Sequence, residues 1–278
     1  MRDKLMNKKS NSRLHSLIRN RIVSCKRSQV TIFIIIAIVI VALLIIIFYP
    51  RIQTTFFTPK TPQGFIEDCM QEDIETNLAI LKKQGGILEP ENFILYQDNK
   101  ISYLCYTNEY YKTCVMQEPF IKERFEEELK LSIEKKAGEC VNSLVEDYEK
   151  KGYSVSSKKP EVSVELVPGS IKIEINSGLT ITKESTESYN KILIVKESGI
   201  YDLLMISESI LNYEARLGDS NPETYMYYYP DLKIEKFKQG DGSKIYMLTD
   251  RETEEKFVFA SRSLSWPAGY NVNQEVVK

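Results

Sequence analysis

The chain has 278 residues, 42% hydrophobic and 27% charged, with a formal net charge of −2. That is the balance of a folded protein and not of a disordered one. Its single histidine, His15, precedes a long apolar run. The rest of the chain therefore lacks the imidazole that Ser-His-Asp and Cys-His nucleophiles, histidine bases and His-ligated zinc all need.

Residues 1–28 form a basic arm, with nine Lys and Arg against the single acid Asp3, a net of +8. Residues 30–49 follow with twenty uncharged, mostly apolar side chains. A bilayer core about 30 Å thick takes about 20 such residues as a helix. The run is longer than the h-region of a cleaved secretory signal and is followed by Tyr49-Pro50-Arg51, so it reads as a retained anchor over 29–49. Beyond residue 50 stand 28 basic and 38 acidic residues, a net of −10. Basic residues stay inside, so the arm is cytoplasmic and residues 51–278 are extracytoplasmic. The arm meets lipid headgroups, and the acidic outer part is a poor nucleic-acid binder.

Residues 50–62 carry Pro50, Pro59, Pro62 and four threonines and read as a short stiff stalk. Ile66, Met70, Ile74, Leu78 and Leu81 recur at helical spacing, which predicts a helix over 63–84 ended by Gly85-Gly86. Residues 101–107 and 111–116 read as a hairpin with Glu109-Tyr110 at its tip, placing Cys105 opposite Cys114. A long helix runs from Pro119 to about Lys151, with a stripe from Ile121 through Phe125, Leu129, Ile133, Ala137 and Cys140 to Tyr148. A polar linker precedes a change to period two. Val162, Val164 and Leu166 then face Ile175, Ile173 and Ile171 across a Pro168-Gly169 turn. Further strands are expected at 178–184 and 189–196. A helix is expected at 199–217, with Ile200, Leu203, Leu204, Ile210, Leu211 and Leu217 on one side. Strands follow at 231–238, 244–250 and 256–262. The fold class is α+β. A helix–hairpin–helix subdomain over 63–152 precedes a mainly antiparallel sheet with one covering helix over 160–270, and a tail over 271–278. All of this stands behind a single transmembrane helix.

Cys25 lies on the cytoplasmic side, as a reduced thiol at a position where palmitoylation occurs. Cys69, Cys105, Cys114 and Cys140 lie outside, an even number in an oxidising compartment. The hairpin pairs Cys105 with Cys114, which leaves Cys69 and Cys140 on the apolar faces of two helices. The alternatives are a four-cysteine metal site, for which the spacing lacks any C-x₂-C, and buried free thiols.

Few residues suggest chemistry. Ser132…Lys135 and Ser156…Lys159 match a serine–lysine spacing at chance frequency. The acids stand in solvating runs, though a carboxylate pair brought together by the fold remains an alternative. Asp241-Gly242 and Asp250 do not match a calcium loop. No nucleotide-binding fingerprint occurs, and no cofactor or metal is expected. Tyr225, Tyr227, Tyr228, Tyr229 and Trp266 form the most aromatic tract. Strand and core packing is the first reading of it; as an extended segment it has tyrosines on both sides, which one sheet face cannot all bury, so part of it reaches an interface with sugar or protein.

Arg27-Ser28-Gln29-Val30-Thr31 running into Ile32-Phe33-Ile34-Ile35-Ile36 resembles the class III signals of archaeal pilin-like proteins. The resemblance implies a cut between Ser28 and Gln29, with Phe33 where that family has glutamic acid. Phe65-Ile66-Glu67-Asp68-Cys69, Gln84-Gly85-Gly86, Tyr103-Leu104-Cys105-Tyr106 and Phe257-Val258-Phe259-Ala260 are similar to uncharacterised archaeal membrane-anchored proteins, a likeness that implies no activity. The expectation is a single-pass, non-enzymatic binding or assembly protein of the cell surface, with a protein partner or self-association. A processed pilin-like subunit and an extracytoplasmic carboxylate hydrolase are the alternatives.

Overall fold

The computed structural model describes residues 33–41 and 61–264. The basic arm, Cys25, the cut before Gln29, residues 50–60 of the stalk, Trp266 and the tail lie outside the described residues. Residues 33–41, the middle of the apolar run, are helical with every side chain exposed. Among the described residues no helix is long and apolar enough to cross a membrane.

Helix α1 spans Pro62–Lys83. Thr61 caps it, its hydroxyl accepting from the Gly64 N–H at 3.2 Å, and Pro62 takes the first helical position, where its missing N–H costs nothing. The expected stripe from Ile66 to Leu81 is buried. The helix closes when the Gly86 N–H donates to Leu81 O at 2.8 Å, with Gly85 and Gly86 at φ of 76° and 83°. A Cβ on Gly85 would meet the Ser102 Cβ at 3.1 Å, so the turn needs glycine for space as well as for φ.

Strands β1 (Phe93–Tyr96) and β2 (Asn99–Tyr106) form a hairpin with a two-residue turn, Gln97-Asp98, both at positive φ. Strand β3 (Val115–Met116) lies beside the end of β2. Here the expected register is corrected. Cys105 stands opposite Met116 and Tyr106 opposite Val115, so Cys114 lies just before the ladder and not across from Cys105. The loop between them is held from outside it, as the Cys114 N–H donates to the Ser263 hydroxyl at 3.0 Å. Helix α2 spans Ile121–Lys150, buries the expected stripe from Ile121 to Leu144 and packs along α1. Both disulfides are present. Cys69–Cys140 joins α1 to α2 with Cα atoms 5.9 Å apart, and Cys105–Cys114 closes the loop at 5.3 Å.

Strands β4 (Ser154–Ser156), β5 (Glu161–Val167), β6 (Ser170–Thr182) and β7 (Thr186–Glu197) form one antiparallel sheet. Leu166↔Ile171, Val164↔Ile173 and Val162↔Ile175 pair as the alternation requires. The expected separate strand at 178–184 is the continuation of β6 beyond a register shift between Asn176 and Leu179, where Gly178 has φ of 53°. Helix α3 spans Ile200–Leu217. Its buried stripe includes Ser207 and Glu214, while Leu217, expected inside, is 60% exposed. Helix α4 (Pro222–Tyr228) precedes β8 (Leu232–Lys238), β9 (Ser243–Asp250) and β10 (Lys256–Arg262).

The second sheet has the order β1-β2-β10-β9-β8, antiparallel except for β2 and β10, which run parallel. This pairing brings residues 99–106 beside 256–262. One apolar core joins α1, α2 and α3 to both sheets. The fold is α+β with mainly antiparallel sheets and several helices, as composition and periodicity predict.

Candidate functional site

The aromatic tract, expected to be extended, is helix α4. Asn221 caps it, its side chain accepting from the Glu223 N–H at 3.0 Å, and Pro222 starts the first turn. Asn-Pro therefore outweighs the strand preference of four tyrosines. Tyr225 turns inward and its hydroxyl lies 3.2 Å from the Ser209 hydroxyl. Tyr227, Tyr228 and Tyr229 are 81%, 72% and 54% exposed. The rings of Tyr227 and Tyr228 meet edge to face at 5.3 Å.

Tyr228 and Tyr229 form one wall of a cleft of about 410 Å³ between α3 and the loop from α4 to β8. Leu203, Met205 and Ile206 of α3 supply its apolar side. Four acids line it: Asp202 from the first turn of α3, Asp231 from the loop, Asp250 at the end of β9, and Glu252 in the next turn. No lysine or arginine lines it. Asp250 shapes its own turn, accepting from the Glu252 N–H and the Thr253 hydroxyl, each at 2.9 Å. A second cleft shares Asp202 and Asp250 and adds Lys82, Ser198 and Glu255. Glu255 closes the N-terminus of α3, accepting from the Gly199 N–H at 2.5 Å and the Ser198 hydroxyl at 2.6 Å, and it pairs with Lys82. A carboxylate here satisfies the helix dipole and an otherwise orphaned N–H.

A second polar assembly lies inside the fold. Glu214 is fully buried. One carboxylate oxygen accepts from the Tyr246 hydroxyl at 2.5 Å and the Ser220 N–H at 2.9 Å. The other accepts from Lys244 Nζ at 2.5 Å and the Ser261 hydroxyl at 3.0 Å. Lys244 also reaches Gly218 O at 2.5 Å and Asp219 at 3.2 Å. Its three N–H bonds thus have three acceptors, which leaves no lone pair for a nucleophile. Burial and the Glu214 charge push the Tyr246 hydroxyl far above its ordinary value. Burial raises Asp219 as well, but hydrogen bonds from Lys236 and Lys238, with Lys244 nearby, hold it well below the ordinary carboxylate range. With every position on Glu214 occupied, the assembly has no place for a substrate. It pins the end of α3 to β9 and β10.

The serine–lysine pairs are not brought into a site. Ser132 donates to Leu129 O within its own helix at 2.7 Å, and the Lys135 and Lys159 side chains are almost fully exposed. Asp241 accepts from the Ser243 N–H and hydroxyl and shapes a hairpin turn. Among the described residues no group of three or more His, Cys, Asp or Glu side chains is arranged to hold a metal ion. Of the cleft's acids the sequence singled out Asp250, weighed only for calcium; their convergence was not legible because they come from α3, the α4–β8 loop and the end of β9 with its following turn. Compared with protein families, curated proteins and solved structures, the chain shows no significant match.

Proposed function

We propose that this chain is a single-pass, membrane-anchored extracytoplasmic protein that binds a partner without turning it over. The cleft between α3 and the α4–β8 loop carries the reading, because it joins an apolar side, a tyrosine wall and four carboxylates at an accessible surface. Two disulfides in the part beyond the apolar run suit an oxidising compartment, and the charge asymmetry about residues 30–49 suits an N-in anchor. Protease added to intact cells should remove residues beyond about 60 and spare the arm; an ectodomain protected in intact cells and cleaved only after lysis would reverse the topology.

Partner retention should depend on the cleft. Crosslinking in native membranes should lose its dominant adduct in Tyr228→Ser, while a chain altered at Tyr110→Ser, distant in sequence from the cleft, keeps it. The carboxylate hydrolase is the second reading, since Asp202 and Asp250 line the same cleft. Ester, glycoside or peptide turnover by the full chain, abolished by Asp202→Asn or Asp250→Asn, would replace binding with catalysis.

A further inference from the structure

We propose that this cleft takes the cationic end of a lysine or arginine side chain, presented by a basic segment of a partner protein. The inference rests on the binding reading above and adds the chemistry of the occupant. The volume of about 410 Å³ accommodates one long side chain. Leu203, Met205 and Ile206 offer an apolar surface to its methylene stem. Tyr228 and Tyr229 line it with aromatic rings, to which a cation is attracted.

The sign of the charge follows from the remaining walls. Asp202, Asp231, Asp250 and Glu252 line the cleft and no cation does. Some acids elsewhere on the surface are paired, as in Glu126 with Lys122, Glu128 with Arg124 and Asp147 with Lys151. Asp202, Asp231 and Glu252 meet no cation among the described residues. The N-terminus of α3 would favour an anion, but Glu255 already occupies it. A partner protein suits the surroundings better than a small free amine. Tyr227, which does not line the cleft, is 81% exposed and packs edge to face on Tyr228, so the aromatic surface extends beyond the cleft, where only a longer chain would cover it.

The test is equilibrium binding to the full chain in nanodiscs. The probes are a labelled Gly/Ser peptide carrying two lysines, its acetyl-lysine form, and spermidine. The lysine peptide should bind, and acetylation should weaken it at least about tenfold, since it removes the charge. Asp202→Asn and Asp231→Asn should each weaken it severalfold with unchanged melting temperature, and Tyr228→Leu about two- to fivefold. Added salt should weaken it further. Equal binding of the acetylated peptide would overturn the cationic occupant while leaving a binding cleft. Spermidine binding tighter than the peptide would overturn the protein source. Absence of binding by every probe would overturn the inference. The crosslinking result for Tyr228→Ser then decides separately whether the cleft binds anything.

Discussion

Cys69→Ser lowers the melting temperature of the full chain by roughly 8–16 °C, and Cys105→Ser lowers it by less. The two disulfides differ in the length of chain they close, 71 residues for Cys69–Cys140 and 9 for Cys105–Cys114. In the chain-entropy account, closing the longer loop restricts the unfolded chain by about 4 kcal/mol and the shorter by about 2.5 kcal/mol. A domain of this size shifts by about 2–4 °C per kcal/mol. The longer staple also joins α1 to α2 at the centre of the core, where Cys140 is fully buried. The freed Cys140 should therefore resist alkylation in the folded chain and react once denatured. Scanning calorimetry measures the shift and mass mapping places the label. Equal losses for the two variants would mean that loop length does not set the contribution.

Helices α1, α2 and α3 and the β5–β6 hairpin were legible because their signals are local and redundant. The stripe from Ile66 to Leu81 coincides with a capping Thr61-Pro62 at one end and Gly85-Gly86 at the other. The β5–β6 register follows from two alternating faces joined by a Pro-Gly turn. The β1–β2 hairpin was not legible, because its turn places Gln97 and Asp98 at positive φ without a glycine. The Cys105–Cys114 pairing was right on a register that was wrong by two residues. The disulfide needs only neighbouring Cα atoms, whereas the ladder begins at Val115. Parallel pairing of β2 with β10 joins segments about 150 residues apart, and no local pattern encodes that. The cleft inherits the same difficulty, because its acids come together only when α3, the α4–β8 loop and the β9–β10 turn are in place. Glu214 was visible in principle. It occupies the next position of the stripe Ile200, Leu203, Ser207, Ile210, where an apolar residue is expected. A carboxylate there needs buried partners, and β9 and β10 supply them.

Glu214→Gln should cost about 3–5 kcal/mol, the usual penalty for leaving one member of a buried ion pair behind. Lys244 is only 4% exposed, so its charge is poorly solvated once Glu214 is neutral. Gly218 O at 2.5 Å and the Asp219 carboxylate at 3.2 Å remain beside it, but Asp219 is shared with Lys236 and Lys238 and compensates only in part. Pairing the change with Lys244→Met should recover part of the loss, because no buried charge is then stranded, so the two effects should be far from additive. Urea midpoints for the two single variants and the double provide that cycle. A small loss for Glu214→Gln, or simple additivity, would show that water or rearrangement relieves Lys244. The same assembly sets the pH window of stability. Asp219 is depressed when folded, so its contribution is complete above the ordinary carboxylate range near pH 4 and fades as pH falls toward its folded value. Tyr246 is raised when folded, so the unfolded chain loses its phenolic proton first, and stability falls as pH rises through about 10. The wild-type unfolding free energy should therefore be flat between these limits. In Tyr246→Phe the alkaline decline should be smaller, while the acid limb set by Asp219 stays in place.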